Sequence, residues 1–112
     1  MVKAKGKVTV TTSGTPIRLT INETDPTARV ACHAFMVEAW PTNTGKMYVM
    51  DRSNGVIATG VGVVAILAIP TSNILPVFTA GFSSAPNAFN LANYYVDADT
   101  NGEAVLVSIL EL

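Results

Sequence analysis

Charged residues are scarce in this chain, and they are missing altogether from its middle. Lys, Arg, Asp and Glu make up 13% of the 112 residues, whereas a soluble domain normally contains about 25%. Positions 53–96 hold none of them, which is a run of 44 residues. A domain of this size cannot bury so long a segment completely. We therefore expect part of the segment to form an uncharged surface that faces another protein.

The scarcity of cysteine and histidine excludes several kinds of chemistry. Cys32 is the single cysteine and His33 the single histidine, so neither an internal disulfide nor a zinc site can be built within the chain. Neighbouring residues of a strand point to opposite faces, which prevents Cys32 and His33 from acting as a nucleophile–base pair. Cys32 lies in an apolar stretch and is expected to be buried. No catalytic residue, metal site or cofactor is predicted.

Neither nucleic acid nor a membrane is an expected partner. The formal net charge is −1, whereas binding to phosphates requires a basic surface. The most apolar stretch, 56–69, has 14 residues and is shorter than the about 20 that span a bilayer. Gly60 and Gly62 also interrupt it. No apolar signal sequence is expected in the first six residues.

Alternating polar and apolar residues, separated by clusters of turn residues, predict an all-β fold. We expect a single antiparallel β-sandwich or jelly-roll of about eight strands over residues 7–112. In 17–21 the alternation would point Ile17, Leu19 and Ile21 inward, and Pro76 would place its strand at an edge or a bulge. Residues 1–6 are expected to be a flexible N-terminal arm. The eight strands are expected at 7–11, 17–21, 29–40, 46–50, 61–70, 73–79, 93–97 and 104–110.

The most distinct local element is a pair of β-rich runs joined at residues 98–103, which we interpret as a tight hairpin with Asn101-Gly102 at its turn. Asp97, Asp99, Asn101 and Gly102 also match the first half of a calcium-binding loop. Ser108 occupies the twelfth position, where such a loop needs a bidentate Glu. The turn interpretation is therefore preferred, with the carboxylates of Asp97, Asp99 and Glu103 as the alternative ion ligands.

Three stretches in this order resemble a known family. They are Lys5-Gly-Lys-Val-Thr-Val-Thr-Thr-Ser-Gly-Thr-Pro16, Thr42-Asn-Thr-Gly-Lys-Met-Tyr-Val49, and the segment from Asn90 to Val107 that contains Tyr94-Tyr-Val-Asp97. The chain is similar to the small capsid decoration, or cement, proteins and related minor virion proteins of tailed bacteriophages. The resemblance implies a β-sandwich without catalysis, assembled in the host cytoplasm and attached to the major capsid protein on the outside of the virion, commonly as a homotrimer.

Two sets of contact residues are predicted from the resemblance and from the uncharged segment. Contact with the capsid is expected through the lysines of the arm and two aromatic residues of a long loop: Lys3, Lys5, Lys7, Phe82 and Phe89. Self-association into a homotrimer or larger ring is expected through the apolar middle segment, at Val56, Ile57, Val61 and Val63.

Two other functions remain open at this point. One is a head–tail or tail component, or a small adhesion domain that binds host glycans through Trp40, Tyr48, Tyr94 or Tyr95. The other is a small β-sandwich enzyme.

Overall fold

Alternating side chains along the chain build two antiparallel sheets. The computed structural model describes residues 1–81 and 88–111, and in these residues there are nine strands and a short 3₁₀ turn at Leu91–Asn93. The strands are β1 Val2–Val10, β2 Ile17–Arg18, β3 Ala31–Ala39, β4 Met47–Met50, β5 Val63–Leu67, β6 Val77–Ala80, β7 Phe89–Asn90, β8 Tyr95–Ala98 and β9 Glu103–Glu111.

The strands form a five-stranded and a four-stranded sheet. The larger sheet has the order β1-β9-β3-β6, with β7 also paired to β3, and the smaller has the order β2-β8-β4-β5. This confirms the predicted all-β sandwich. The core between the sheets draws on both of them, with Val8, Phe35 and Val107 from the larger sheet and Val49 and Val96 from the smaller.

The first residues differ from the predicted flexible arm. Residues 2–6 belong to β1, which pairs with β9 from Val2 opposite Leu110 onward. A β-bulge between Ala4 and Gly6 shifts the register, and Gly6 has a φ of 91° that suits glycine. Composition suggested disorder because the segment has few core-sized side chains, whereas its order comes from backbone pairing with a distant strand.

The predicted hairpin at 98–103 is wrong. β8 pairs with β2 and β4, while β9 pairs with β1 and β3, so the turn carries the chain from one sheet to the other. Gly102 has a φ of 83°, but Asn101 does not adopt a positive φ. Its side-chain Oδ1 instead accepts a hydrogen bond of 2.8 Å from the Ser13 backbone N–H.

Two other strands follow the prediction only in part. The second strand ends at Arg18 because the chain then turns, with the Ile21 N–H bonded to the Arg18 carbonyl. Leu19 is buried as expected, but Ile21 is exposed. β6 begins directly after Pro76 and lies at the end of the larger sheet, which confirms the edge position that the proline predicts.

Candidate interaction surface

The end strands of the two sheets approach each other in two pairs, on opposite sides of the sandwich. β1 and β2 approach each other on one side, and β5 and β6 approach each other on the other. The last strand of a sheet exposes unpaired backbone N–H and C=O groups, to which a strand of another protein can bind. The two sides differ in how well their side chains and strand geometry protect the unpaired backbone groups.

The side formed by β1 and β2, here called the lysine side, is protected. β1 carries Lys3, Lys5 and Lys7 and is bent by its bulge, while β2 has only two residues. Edge lysines, bulges and short strands are the means by which natural sheets prevent further strand pairing. This side is unsuited to docking of another strand.

The opposite side, here called the apolar side, consists of β5, β6 and their connection 68–76. It lies within the uncharged run, so no charged side chain protects either strand. β5 has five residues and β6 has four, and neither has a second strand neighbour among the described residues. Both strands therefore remain open to pairing.

Exposed aliphatic side chains are carried by β5, β6 and the connection between them. Six of them, spread from β5 to β6, are between 41% and 64% exposed. The pairing registers point Ile66 to the outer face of the smaller sheet and Val77 to the outer face of the larger one. Complete burial of one such side chain stabilises a complex by about 1.5–3 kcal/mol, so burial of the exposed half of all six would contribute about 4.5–9 kcal/mol. An exposed group of this kind typically marks a contact with another protein. The six residues are Val64, Ile66, Ile69, Ile74, Leu75 and Val77.

The four residues nominated for self-association lie at or just before the start of β5. Val56 and Val61 form an isolated bridge, with the Val56 N–H 2.9 Å from the Val61 carbonyl oxygen, and both are nearly half exposed. Ile57, in the same loop, and Val63, the first residue of β5, are both partly buried. Val56 and Ile57 line a cleft of about 390 Å³ together with Asp97 and Asp99, away from the six aliphatic residues.

The lysines nominated for capsid contact have partners within the chain. Lys3 lies 3.2 Å from Glu111, and Lys5 lies 2.6 Å from Glu23 with only 14% of its side chain exposed. The Lys7 ammonium stands 4.3 Å from the centre of the Trp40 ring, a cation–π contact. These pairings help to hold β1 on the domain.

The two nominated phenylalanines have different positions. Phe89 is half-buried in β7, and its ring meets that of Phe35 edge-on at 5.6 Å. Its ring packs against the hydrophobic core. Phe82 lies outside the described residues.

The acidic residues around the 98–103 turn each bind a different part of the chain. Asp97 accepts hydrogen bonds from the N–H groups of Gly14 and Ala98, and Asp99 accepts one of 2.9 Å from the Tyr48 hydroxyl. Within residues 1–81 and 88–111, no group of three His, Cys, Asp or Glu side chains could hold a metal ion. These two carboxylates accept hydrogen bonds from neighbouring turns and strands and so hold these segments in place.

Glu103 makes the most extensive of these contacts. Its Oε1 accepts hydrogen bonds from the Thr44 N–H at 2.6 Å, the Gly45 N–H at 2.7 Å and the Thr44 hydroxyl at 3.0 Å. Nearby, the Asn43 side chain bonds both backbone groups of Ala104. Glu103 and Asn43 are both buried, and together they join the β3–β4 connection to the start of β9.

The aromatic residues considered for glycan binding are largely engaged. Tyr48 is buried and bonded to Asp99, and burial is the main cause that raises its pKa, followed by the hydrogen bond to that carboxylate. The Tyr94 ring packs 4.6 Å from that of Phe35, and the Arg18 guanidinium covers the Tyr95 ring. Trp40 lies under Lys7. No row of free aromatic faces is found among these four residues.

Cys32 and His33 occupy different environments on β3. The Cys32 thiol is buried, and burial raises its pKa, which keeps it protonated and unreactive at neutral pH. His33 is only partly buried. The predicted burial of Cys32 is thus confirmed.

The outer face of the larger sheet carries an apolar depression that the sequence did not reveal. The domain does not cover the outer face of β3, where Met36 remains 36% exposed. It lies in a depression of about 300 Å³ with Val2, Ala34, Thr79 and Leu110 among the lining residues. The missed signal is the row of uncharged residues at alternate positions of β3 and β9.

Comparisons with known proteins add no relative: no family model, curated protein or solved structure matches this chain. The described residues also contain no helix with the length and hydropathy of a membrane span. The features of this chain that indicate a function are therefore its two exposed apolar surfaces.

Proposed function

We propose that this protein is a non-enzymatic decoration, or cement, protein that binds the outer surface of a bacteriophage capsid and stabilises the shell. The observation that carries the proposal is the unequal distribution of charge and exposed apolar residues over the sandwich. The apolar side has six exposed aliphatic side chains and no charge. Such a surface is more typical of a protein in permanent contact with other proteins than of a free monomer.

The resemblance in the turn and strand motifs supports the major capsid protein as the partner. It also supports self-association as a homotrimer or larger ring. We assign the capsid contact to the outer face of the larger sheet, where Met36 and Leu110 line an apolar depression and Leu106 is exposed further along β9. Lys7 and Glu38 flank Leu106 on the neighbouring strands and would border the contact. Several copies joined to one another would attach more firmly than one, because each bound copy raises the effective concentration of the next.

Binding to purified capsids that lack the protein tests this proposal. Met36→Lys places a charge in the depression and should strongly reduce the number of copies bound at saturation. Ile21→Lys, in the turn after β2 and away from both apolar surfaces, serves as the matched control for an added lysine at an exposed apolar position. Equal loss with both variants would remove the assignment of the capsid contact to the larger sheet.

Particle stability tests the role itself. Capsids saturated with the protein should survive heating better than bare capsids of the same preparation. Unchanged resistance would refute the cement function. A copy number of only a few per particle would favour the alternative of a head–tail or tail component.

A further inference from the structure

The chain contains two Asn-Gly dipeptides, and both lie in turns. They are Asn54-Gly55, in the turn after β4, and Asn101-Gly102, in the turn between β8 and β9. Spontaneous deamidation is easiest in this dipeptide, because glycine has no side chain to hinder the approach of its backbone nitrogen to the preceding side chain. The same chemistry is therefore available at two positions, and the surrounding structure decides where it proceeds.

The Asn101 site is held by hydrogen bonds to a distant part of the chain. The side-chain Oδ1 of Asn101 accepts a hydrogen bond of 2.8 Å from the Ser13 N–H. The Gly102 N–H donates one of 2.8 Å to the Val10 carbonyl. The attacking nitrogen and the side-chain amide are thus each bound to the end of β1 or the turn that follows it. Reaction at Asn101 requires both hydrogen bonds to open.

The Asn54 site has no such restraint. Asn54 is exposed, and among residues 1–81 and 88–111 no hydrogen bond from a distant strand or loop holds its side chain or the Gly55 N–H. Gly55 is nevertheless needed for packing, since a Cβ there would lie 2.5 Å from the Met50 sulfur and 3.2 Å from the Val61 carbonyl oxygen. A larger residue that would slow the reaction does not fit after Asn54 without displacement of Met50.

We propose that Asn54 is a site of spontaneous deamidation and that the fold protects Asn101 from the same reaction. The Gly55 nitrogen attacks the side-chain carbonyl carbon of Asn54. A new N–C bond forms, the bond to the amide nitrogen breaks, and ammonia leaves with the Gly55 amide proton. Water opens the resulting succinimide, at one carbonyl to aspartate and at the other to isoaspartate. Each event consumes one water, releases one ammonia and adds one carboxylate.

The modification would change a segment that has no charge of its own. Asn54 belongs to the run 53–96, and Gly55 lines the cleft that also contains Asp97 and Asp99. The new carboxylate would therefore lie one residue from a cleft that already holds two. Isoaspartate also lengthens the backbone by one carbon before Gly55, which disturbs its packing on Met50. This inference concerns the isolated protein and does not depend on the proposed capsid partner.

Peptide mapping tests the proposal, with the unfolded chain as the reference. Native protein and protein in concentrated guanidinium chloride are incubated at the same mildly alkaline pH until the unfolded chain has reacted at both Asn-Gly sites. Mass spectrometry of proteolytic peptides then gives the deamidated fraction at each site. In native protein Asn54 should react about tenfold faster than Asn101 or more, because only Asn101 must first release two hydrogen bonds. In the unfolded chain the two rates should be similar.

The native rates decide between the possible outcomes. Faster reaction of Asn54 than of Asn101 in the native protein, with similar rates in the unfolded chain, supports the proposal. Equal native rates at the two positions would overturn it. So would an unreacted Asn54 in native protein under conditions in which the unfolded chain reacts.

Glutamine variants provide a second test through the charge of the whole protein. Incubated wild type should give additional acidic species in ion-exchange chromatography, with isoaspartate at position 54. Asn54→Gln should abolish these species, because the longer side chain forms its cyclic intermediate far more slowly. Asn101→Gln is the matched control and should still give them, with circular dichroism used to verify the native fold of both variants. Acidic species that persist in Asn54→Gln at the wild-type rate would refute the assignment.

Discussion

Replacement of Glu103 examines how the two sheets are held together. Glu103→Ala removes the acceptor for the Thr44 and Gly45 N–H groups, which lie 2.6 and 2.7 Å from Oε1. A hydrogen bond to a charged group contributes about 1.5–3 kcal/mol. Loss of both bonds should therefore lower the free energy of unfolding by about 3–6 kcal/mol. That is a large part of the about 5–15 kcal/mol typical of a folded domain.

A graded variant separates the charge from the geometry. Glu103→Gln keeps an oxygen that can accept the same bonds, but neutral hydrogen bonds are about half as strong as charge-assisted ones. We expect this variant to lose about 1–3 kcal/mol, between the wild type and Glu103→Ala. The measurement is urea unfolding followed by the fluorescence of Trp40, the single tryptophan. Its backbone N–H donates a hydrogen bond to the Ala104 carbonyl beside the turn.

Glu111→Gln is the matched control, because it changes the same residue type on the same strand. Its carboxylate lies 3.2 Å from Lys3 at the surface, and such a pair contributes at most about 1 kcal/mol. If Glu103→Ala cost no more than this control, the buried carboxylate would not be the fastening that its contacts indicate. Amide exchange at Thr44 and Gly45 should also accelerate in Glu103→Ala.

Three further changes address the core, the first strand and a buried phenol. Phe35→Ala, at the centre of contacts with three other rings, should cost about 3–5 kcal/mol in urea unfolding. Deletion of residues 1–6 should lower the thermal midpoint, because the end of β9 loses its neighbour; an unchanged midpoint would contradict the pairing. Folding raises the pKa of Tyr48. The contribution of the neutral Tyr48 side chain to the free energy of unfolding is therefore fully present below about pH 10, and it is lost as the pH rises through the folded pKa. Tyr48→Phe should therefore show a shallower fall of the urea midpoint above pH 10, and an equally steep fall would contradict this role.

Strand positions could be predicted from the sequence because they depend on local alternation and on turn residues. The centres of β3, β4 and β9 fall where period-two patterning places them. Pro76 likewise marks an edge strand by a purely local effect, the missing N–H. These features need no knowledge of the neighbouring strands.

Strand partners could not be predicted, because they depend on residues far away in the chain. The turn at 98–103 has the composition of a hairpin, yet β9 runs between β1 and β3 while β8 runs between β2 and β4. The same limitation applies to residues 2–6, which are ordered by β9 about 100 positions later. Composition described their side chains but not the strand that binds their backbone.

For the candidate surface too, the sequence predicts the local features but not those that depend on the fold. The uncharged run predicted that some surface would face another protein, but only the fold shows which residues remain exposed. Leu67 is buried while its neighbour Ile66 is 60% exposed, a difference that follows from strand alternation at a sheet edge. Lys5, in contrast, has the sequence character of a surface contact and is largely buried against Glu23.

The contrast between the two sides of the sandwich also bears on how assembly stops. If both sides were open, each copy could add strands in two directions, and growth into fibres would follow. The lysines and the bulge of β1 close one side, which confines strand pairing to β5 and β6. Because those two strands share one side, a further strand can join the domain only there. Strand addition is thereby confined to one side, and the outer face of the larger sheet stays available for the proposed capsid contact.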